Sequence, residues 1–116
     1  MRPLGAWLAL ATLWVAPAAA QDGKAVFQSW IGKTLVVAAY NGRPEVRFEA
    51  DGTASISSPN TRDSGRWRRD DNGYCVRWQK LREGREACFG IITVGADTFI
   101  VYKGGTEVAG KVLEIR

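Results

Sequence analysis

From Lys33 onward the chain is interrupted by turn-forming residues every six to twelve positions, and this spacing constrains the fold more than any other feature. The interruptions are rich in Gly, Pro, Asn and Asp, which favour tight turns for separate stereochemical reasons. They lie at residues 41–44, 51–52, 58–60, 70–73, 83–84, 95–97 and 104–105. Short strands at such regular spacing are typical of an antiparallel meander.

The clearest hairpin spans the turn at residues 51–52. Apolar and charged residues alternate over 45–50, and apolar and hydroxyl residues alternate over 53–57, as half-buried strands require. Further strands are predicted at residues 33–40, 65–69, 74–81, 86–94, 98–103 and 106–115. We expect the last strand to carry a bulge at Gly110.

One short helix is predicted before the strands, over residues 23–31. Asp22 is suited to cap it, Val26 and Trp30 share one face, and Gly32 ends it. The sequence therefore predicts an all-β fold of about eight strands with one N-terminal helix. A small lipocalin-like barrel or a sandwich would leave few free strand edges in such a chain.

The N-terminal residues have the pattern of a secretory signal. Arg2 supplies the positive charge, residues 4–15 form a short apolar core, and residues 16–20 end in the small-residue A-x-A form. The core is too short for a spanning helix, and no Cys follows it to accept a lipid anchor. We expect cleavage after residue 20, no membrane span, and a single β domain over 21–116 in the periplasm or outside the cell.

Cys75 and Cys88 are the two cysteines of the chain. Export to an oxidising compartment favours a structural disulfide between them. A hairpin that turns near Leu81 and Arg82 would place the two directly opposite each other, whereas a turn with Gly84 as its left-handed residue would offset them. The sequence leaves both registers open.

The chain contains no histidine, which excludes His-based catalytic triads and His metal ligands. The acidic run at 70–73 lacks the spacing of a calcium loop, because Leu81 stands where the closing Glu would be. We identify no catalytic residue, and we expect no enzyme activity, no metal site and no cofactor.

The stretch from Arg62 to Glu86 is the most distinctive part of the composition, because basic residues outnumber acidic ones there. Arginine guanidinium groups beside aromatic rings could bind an anionic lipid, a glycan or an envelope protein. Nucleic acid is not expected as a partner of an exported chain. The candidate residues are Arg66, Arg68, Arg77, Trp67 and Trp78. Alternatively, the interleaved acids neutralise an ordinary solvated face.

The aromatic residues of the predicted strands and helix also have two possible roles. In a chain of this size they fill the core, or they line a ligand cavity inside a barrel. The residues concerned are Trp30, Phe48, Trp67, Trp78, Phe89, Phe99 and Tyr102.

The G-x-W run Gly65-Arg66-Trp67, the C-x-x-W run from Cys75 to Trp78, and Cys88 resemble the pattern of small exported Gram-negative proteins of unknown function. That resemblance implies a lipocalin-like (calycin) barrel. A weaker similarity is to periplasmic inhibitors of C-type lysozyme, which present a Ser-Gly-x-Arg-Tyr-like loop to the enzyme. It implies that Ser64 and Arg66 lie in an exposed loop, within residues 60–66, that inserts into a target enzyme.

These observations predict a non-enzymatic, soluble β module, periplasmic or secreted, that binds an anionic or apolar envelope partner. We expect it to be a monomer. The alternative is a proteinaceous inhibitor of lysozyme or of a secreted protease.

Overall fold

The structure is a computed structural model, and it describes residues 22–116. The predicted signal at residues 1–20 lies outside the described residues. Over residues 22–116 there is no helix with the length and apolar character needed to cross a membrane.

The described chain forms one α-helix, eight strands and one short 3-10 turn. The helix α1 spans Gly23–Trp30. The strands are β1 (Thr34–Ala38), β2 (Glu45–Phe48), β3 (Thr53–Ser57), β4 (Arg62–Asp70), β5 (Gly73–Trp78), β6 (Ala87–Val94), β7 (Asp97–Tyr102) and β8 (Val108–Ile115), and the 3-10 turn is Leu81–Gly84. The predicted all-β fold with one short helix is confirmed.

The strands form a closed antiparallel barrel in which each strand pairs with the next and β8 pairs back with β1. Closure leaves no strand edge unpaired around the barrel. Between β7 and β8 the register shifts, so that Ile100 faces Gly110 but Val101 faces Val108. Ala109 is therefore the extra residue of a bulge next to the predicted position, Gly110.

The helix α1 covers one end of the barrel. Its first turn is capped by Asp22, whose Oδ1 accepts a hydrogen bond from the Lys24 N–H at 3.0 Å. Phe27 is buried and stacks on Tyr74, with ring centroids 5.0 Å apart. Gly23 lies so close to Asn72 that a Cβ atom would overlap its carbonyl oxygen. A glycine at the helix start thus lets α1 dock against the β4–β5 turn.

Cys75 and Cys88 form the predicted disulfide and face each other directly across β5 and β6. This is the register expected for a turn near Leu81 and Arg82. Gly84 is nevertheless left-handed as well, with φ of 76°, because the connection between the strands is long enough to contain both features. The disulfide joins neighbouring strands on the outer side of the barrel wall.

Candidate functional site

The barrel encloses a cavity of about 150 Å³. Its walls come from several strands and from the last residue of α1, because alternate residues of each strand point inward. Apolar lining residues include Leu35, Val46, Val76 and Ile100. Of the aromatic residues singled out from the sequence, Trp30, Phe48, Trp78, Phe89 and Tyr102 line the cavity, whereas Trp67 and Phe99 do not. The interior therefore combines a packed core with an open space.

Three of the lining residues carry buried polar groups: Tyr74, Trp30 and Trp78. Within residues 22–116, neither the Tyr74 hydroxyl nor the two indole N–H groups has a hydrogen-bond partner, whereas Trp67 donates to the Glu49 carbonyl at 2.8 Å. An unpaired buried polar group costs about 1–3 kcal/mol. Such groups beside an open space are suited to hydrogen bonds with a bound molecule or with water.

Burial raises the pKa of Tyr74 strongly, and the neighbouring Tyr40 raises it further. The Tyr74 hydroxyl is therefore neutral at physiological pH, and it can donate one hydrogen bond and accept another. The cavity offers a ligand a polar but uncharged contact at this point.

Tyr40, Arg82 and Tyr102 lie together at the barrel end opposite α1, and we call this group the mouth. Antiparallel alternation places the connections that carry Tyr40 and Arg82 at that end. Tyr40 and Tyr102 also line the cavity. The Cζ atom of Arg82 lies 5.7 Å from the centroid of the Tyr102 ring, a cation–π distance. The mouth therefore combines one guanidinium with two phenols.

Burial raises the pKa of Tyr40, the Tyr102 phenol raises it further, and the positive charge of Arg82 lowers it. The net direction is upward, so the Tyr40 hydroxyl is protonated at neutral pH. It is available as a hydrogen-bond donor at the mouth.

The backbone around the mouth is strained. Among residues 22–116, the non-glycine residues with positive φ are Tyr40 (51°), Asn41 (57°), Arg82 (56°) and Glu83 (56°). All four lie in two connections at the same end of the barrel. Residues other than glycine seldom adopt positive φ, and such backbone strain concentrates at functional sites. Tyr40 and Asn41 are the central residues of a two-residue hairpin turn, which requires positive φ at both positions, whereas Arg82 and Glu83 interrupt the 3-10 turn.

Asp63, at the start of β4, holds the loop that carries Arg82. Its Oδ2 accepts hydrogen bonds from the backbone N–H groups of Lys80 and Leu81, both at 2.8 Å. On the other side of the loop, Arg77 donates to the Gly84 carbonyl at 3.0 Å. The position of Arg82 is thus fixed by two side chains from neighbouring strands.

The Asp63 carboxyl is buried, and burial by itself raises its pKa. The hydrogen bonds from Leu81, Lys80 and Ser64 outweigh burial, so the pKa lies below the usual value. Sequence reasoning missed this residue. Asp63 lies four residues before the inward-facing Trp67, so the alternation of side chains along a strand predicts that Asp63 also points inward. That alternation is the sequence signal that could have identified it.

The predicted anion-binding residues do not form one surface. Arg66, Arg68 and Arg77 are exposed, whereas Trp67 and Trp78 are buried inside the barrel. The expectation that these two indoles lie beside the arginines at one surface is wrong, because strand alternation turns them to the opposite face of the sheet. The aromatic part of the predicted site is therefore absent from that surface.

Two of the three arginines already have partners. The Nε and Nη2 atoms of Arg68 both donate hydrogen bonds to the Glu86 carboxylate at 3.0 Å. Arg77 donates a hydrogen bond to the Gly84 carbonyl. The hydrogen bond from Arg68 is the main reason that the pKa of Glu86 is lowered. Arg66 lies directly opposite Arg77 and makes no ion pair within the described residues. Its charge nevertheless acts on Asp51, whose pKa is lowered first by hydrogen bonds from Thr53 and then by Arg66.

Ser64 and Arg66 do not lie in a protruding loop. Both belong to β4, where Ser64 faces Ser55 and Arg66 faces Thr53. The expectation of an exposed loop over residues 60–66 is therefore wrong, because pairing with β3 and β5 extends β4 back to Arg62. The connection from β3 to β4 is limited to residues 58–61.

No protein-family model, no curated protein and no solved structure matches this chain. The two resemblances noted from the sequence stay predictions, and the assignment of function depends on the geometry of the site.

Proposed function

We propose that this protein is a non-enzymatic binding protein that holds a small apolar ligand inside its barrel. The observation that carries the proposal is the cavity whose lining residues Tyr74, Trp30 and Trp78 have polar groups without a partner among the described residues. A filled core would have paired these groups or replaced them with apolar ones.

The cavity volume limits the size of the ligand. A cavity of similar volume, about 150 Å³, lined by apolar side chains is large enough to bind benzene. The buried part of the ligand is therefore one aromatic ring or a short alkyl chain. A ligand with a hydrogen-bond acceptor would in addition pair the free donors of the lining.

We place the protein in the periplasm or outside the cell, as a monomer. The predicted export signal and the intramolecular disulfide support this location, because disulfides persist in oxidising compartments. The alternative function, an inhibitor of lysozyme or of a secreted protease, stays a prediction. The positions of Ser64 and Arg66 in β4 do not favour it.

The test is calorimetric titration of the protein, expressed from the full 116-residue sequence, with 3-phenylpropanol. Val76→Phe places a larger side chain at the cavity wall, and we expect it to weaken binding at least about tenfold, since the ring competes for the same space. Val94→Phe makes the same change at an exposed position and is the matched control. Absence of binding to the unmodified protein, or equal binding by Val76→Phe, would contradict the proposal.

A further inference from the structure

The guanidinium of Arg82 has no carboxylate partner among the ion pairs of residues 22–116. The adjacent Glu83 is paired with Arg85 at 2.6 Å. Lys103, which directly follows Tyr102 at the end of β7, is paired with Asp70 at 2.7 Å. The positive charge at the mouth is therefore not neutralised by the acids around it.

Hydrogen bonds fix the backbone from which the exposed Arg82 side chain extends. Asp63 and Arg77 anchor the two sides of the loop, and the backbone of Arg82 is left-handed, with φ of 56°. The guanidinium lies over the Tyr102 ring, beside the entrance to the cavity.

The chemistry of the mouth matches a carboxylate. A guanidinium presents two parallel N–H donors that fit the two oxygens of a carboxylate, and the phenols of Tyr40 and Tyr102 can donate beside it. The apolar cavity behind the mouth suits the other end of the same molecule.

We propose that the ligand is a small monocarboxylate, whose apolar part lies in the cavity and whose carboxylate is bound at the mouth by Arg82. This inference rests on the proposed function of the cavity. It adds the chemical class of the ligand and its orientation.

The experiment compares two probes of matched shape, 3-phenylpropionate and 3-phenylpropanol. Calorimetric titration is carried out on the unmodified protein, on Arg82→Gln and on Arg66→Gln. The last variant is the matched control, because it removes the same charge from an exposed position that has no ion pair within the described residues. The alcohol also reports whether the cavity of each variant is intact.

We expect the unmodified protein to bind the acid more tightly than the alcohol. Arg82→Gln should weaken binding of the acid at least about tenfold, as expected when a hydrogen bond to a charged group is lost, and leave the alcohol unchanged. Arg66→Gln should bind both probes as the unmodified protein does.

Other outcomes overturn the inference in distinguishable ways. If both probes bind equally and Arg82→Gln changes neither, the cavity binds ligands but the assignment of the carboxylate is wrong. If Arg66→Gln and not Arg82→Gln weakens binding of the acid, the anion binds on the outer face. If neither probe binds the unmodified protein, the proposed function fails together with the inference.

Discussion

The Oδ2 atom of Asp63 accepts a hydrogen bond of 2.8 Å from the backbone N–H of Leu81, across 18 positions of sequence. This bond joins the start of β4 to the loop that precedes β6. The same oxygen holds Lys80, so the strained residues that follow, Arg82 and Glu83, start from a fixed position. The geometry of the mouth therefore depends on a carboxylate that is not part of it.

We expect Asp63→Asn to lower the free energy of unfolding by about 2 kcal/mol, because an amide cannot accept hydrogen bonds with both of its terminal atoms. Chemical denaturation at neutral pH measures the change. Asp71→Asn, in the exposed β4–β5 turn, is the control and should have little effect. Equal stabilities of the two variants would show that Asp63 does not anchor the loop.

The contribution of Asp63 should depend on pH in a known direction. Its pKa in the folded protein is lowered below that of the unfolded chain, about 3.9. The stabilisation is therefore fully present above the unfolded pKa and is lost as the pH falls through the folded pKa. The difference in unfolding free energy between the protein and Asp63→Asn should be constant from about pH 7 to 5 and shrink below about pH 4. A difference that persists unchanged to the lowest pH at which the protein folds would contradict the assignment.

Removal of the disulfide should destabilise the protein without altering its fold. The bond closes a loop with a sequence separation of 13, for which loop-closure entropy predicts a loss of about 3 kcal/mol in the double variant Cys75→Ala, Cys88→Ala. Urea denaturation with and without a reductant measures this. The reductant should destabilise the unmodified protein and leave the double variant unchanged; an effect on the variant would point to another cause.

Tyr74→Phe should cost little stability. The hydroxyl has no hydrogen-bond partner among the described residues, so its removal breaks no bond and relieves the burial of a polar group. We expect a thermal midpoint equal to or above that of the unmodified protein. By contrast, Trp67→Phe removes a hydrogen bond to Glu49 and should lower the midpoint. A clear loss of stability in Tyr74→Phe would show that the hydroxyl has a partner.

The two exposed arginines of β4 should differ in their effect on binding to an anionic resin. Arg68 is paired with Glu86, whereas Arg66 has no ion pair within the described residues. Arg66→Ser should therefore elute at lower salt than Arg68→Ser, although each variant loses one positive charge. Equal elution would indicate that the resin detects only net charge.

Unchanged retention when Arg66, Arg68 and Arg77 are all replaced by Ser would exclude the outer face as an anion site.

Most of the fold could be predicted because its signals are local. Asp22 and Gly32 delimit α1, and the alternation over residues 45–57 indicates the β2–β3 hairpin. The sequence predicts a start of β4 at residue 65, three residues after the observed start at Arg62, since Asp63 has low strand propensity. Pairing with a strand on each side overrides that propensity, and no local pattern reveals such pairing.

The mouth could not be predicted for a different reason. Tyr40 and Arg82 come from two connections and Tyr102 ends β7, so the three are distant in sequence, and only closure of the barrel brings them together. The Asn41-Gly42 pair did indicate a turn. The structure centres that turn on Tyr40 and Asn41 instead, since Gly42 bridges to Ala39, and this places a phenol at the cavity entrance.

The pairing of β1 with β8 also determines when the barrel can close during synthesis of the chain. The first strand to be synthesised finds one of its two neighbours only when the last strand is made, and Thr34 exchanges backbone hydrogen bonds with Arg116. Until then the barrel wall has a gap, and the helix has no complete rim to cover. A nascent chain of this topology therefore cannot close its barrel before β8 has been synthesised.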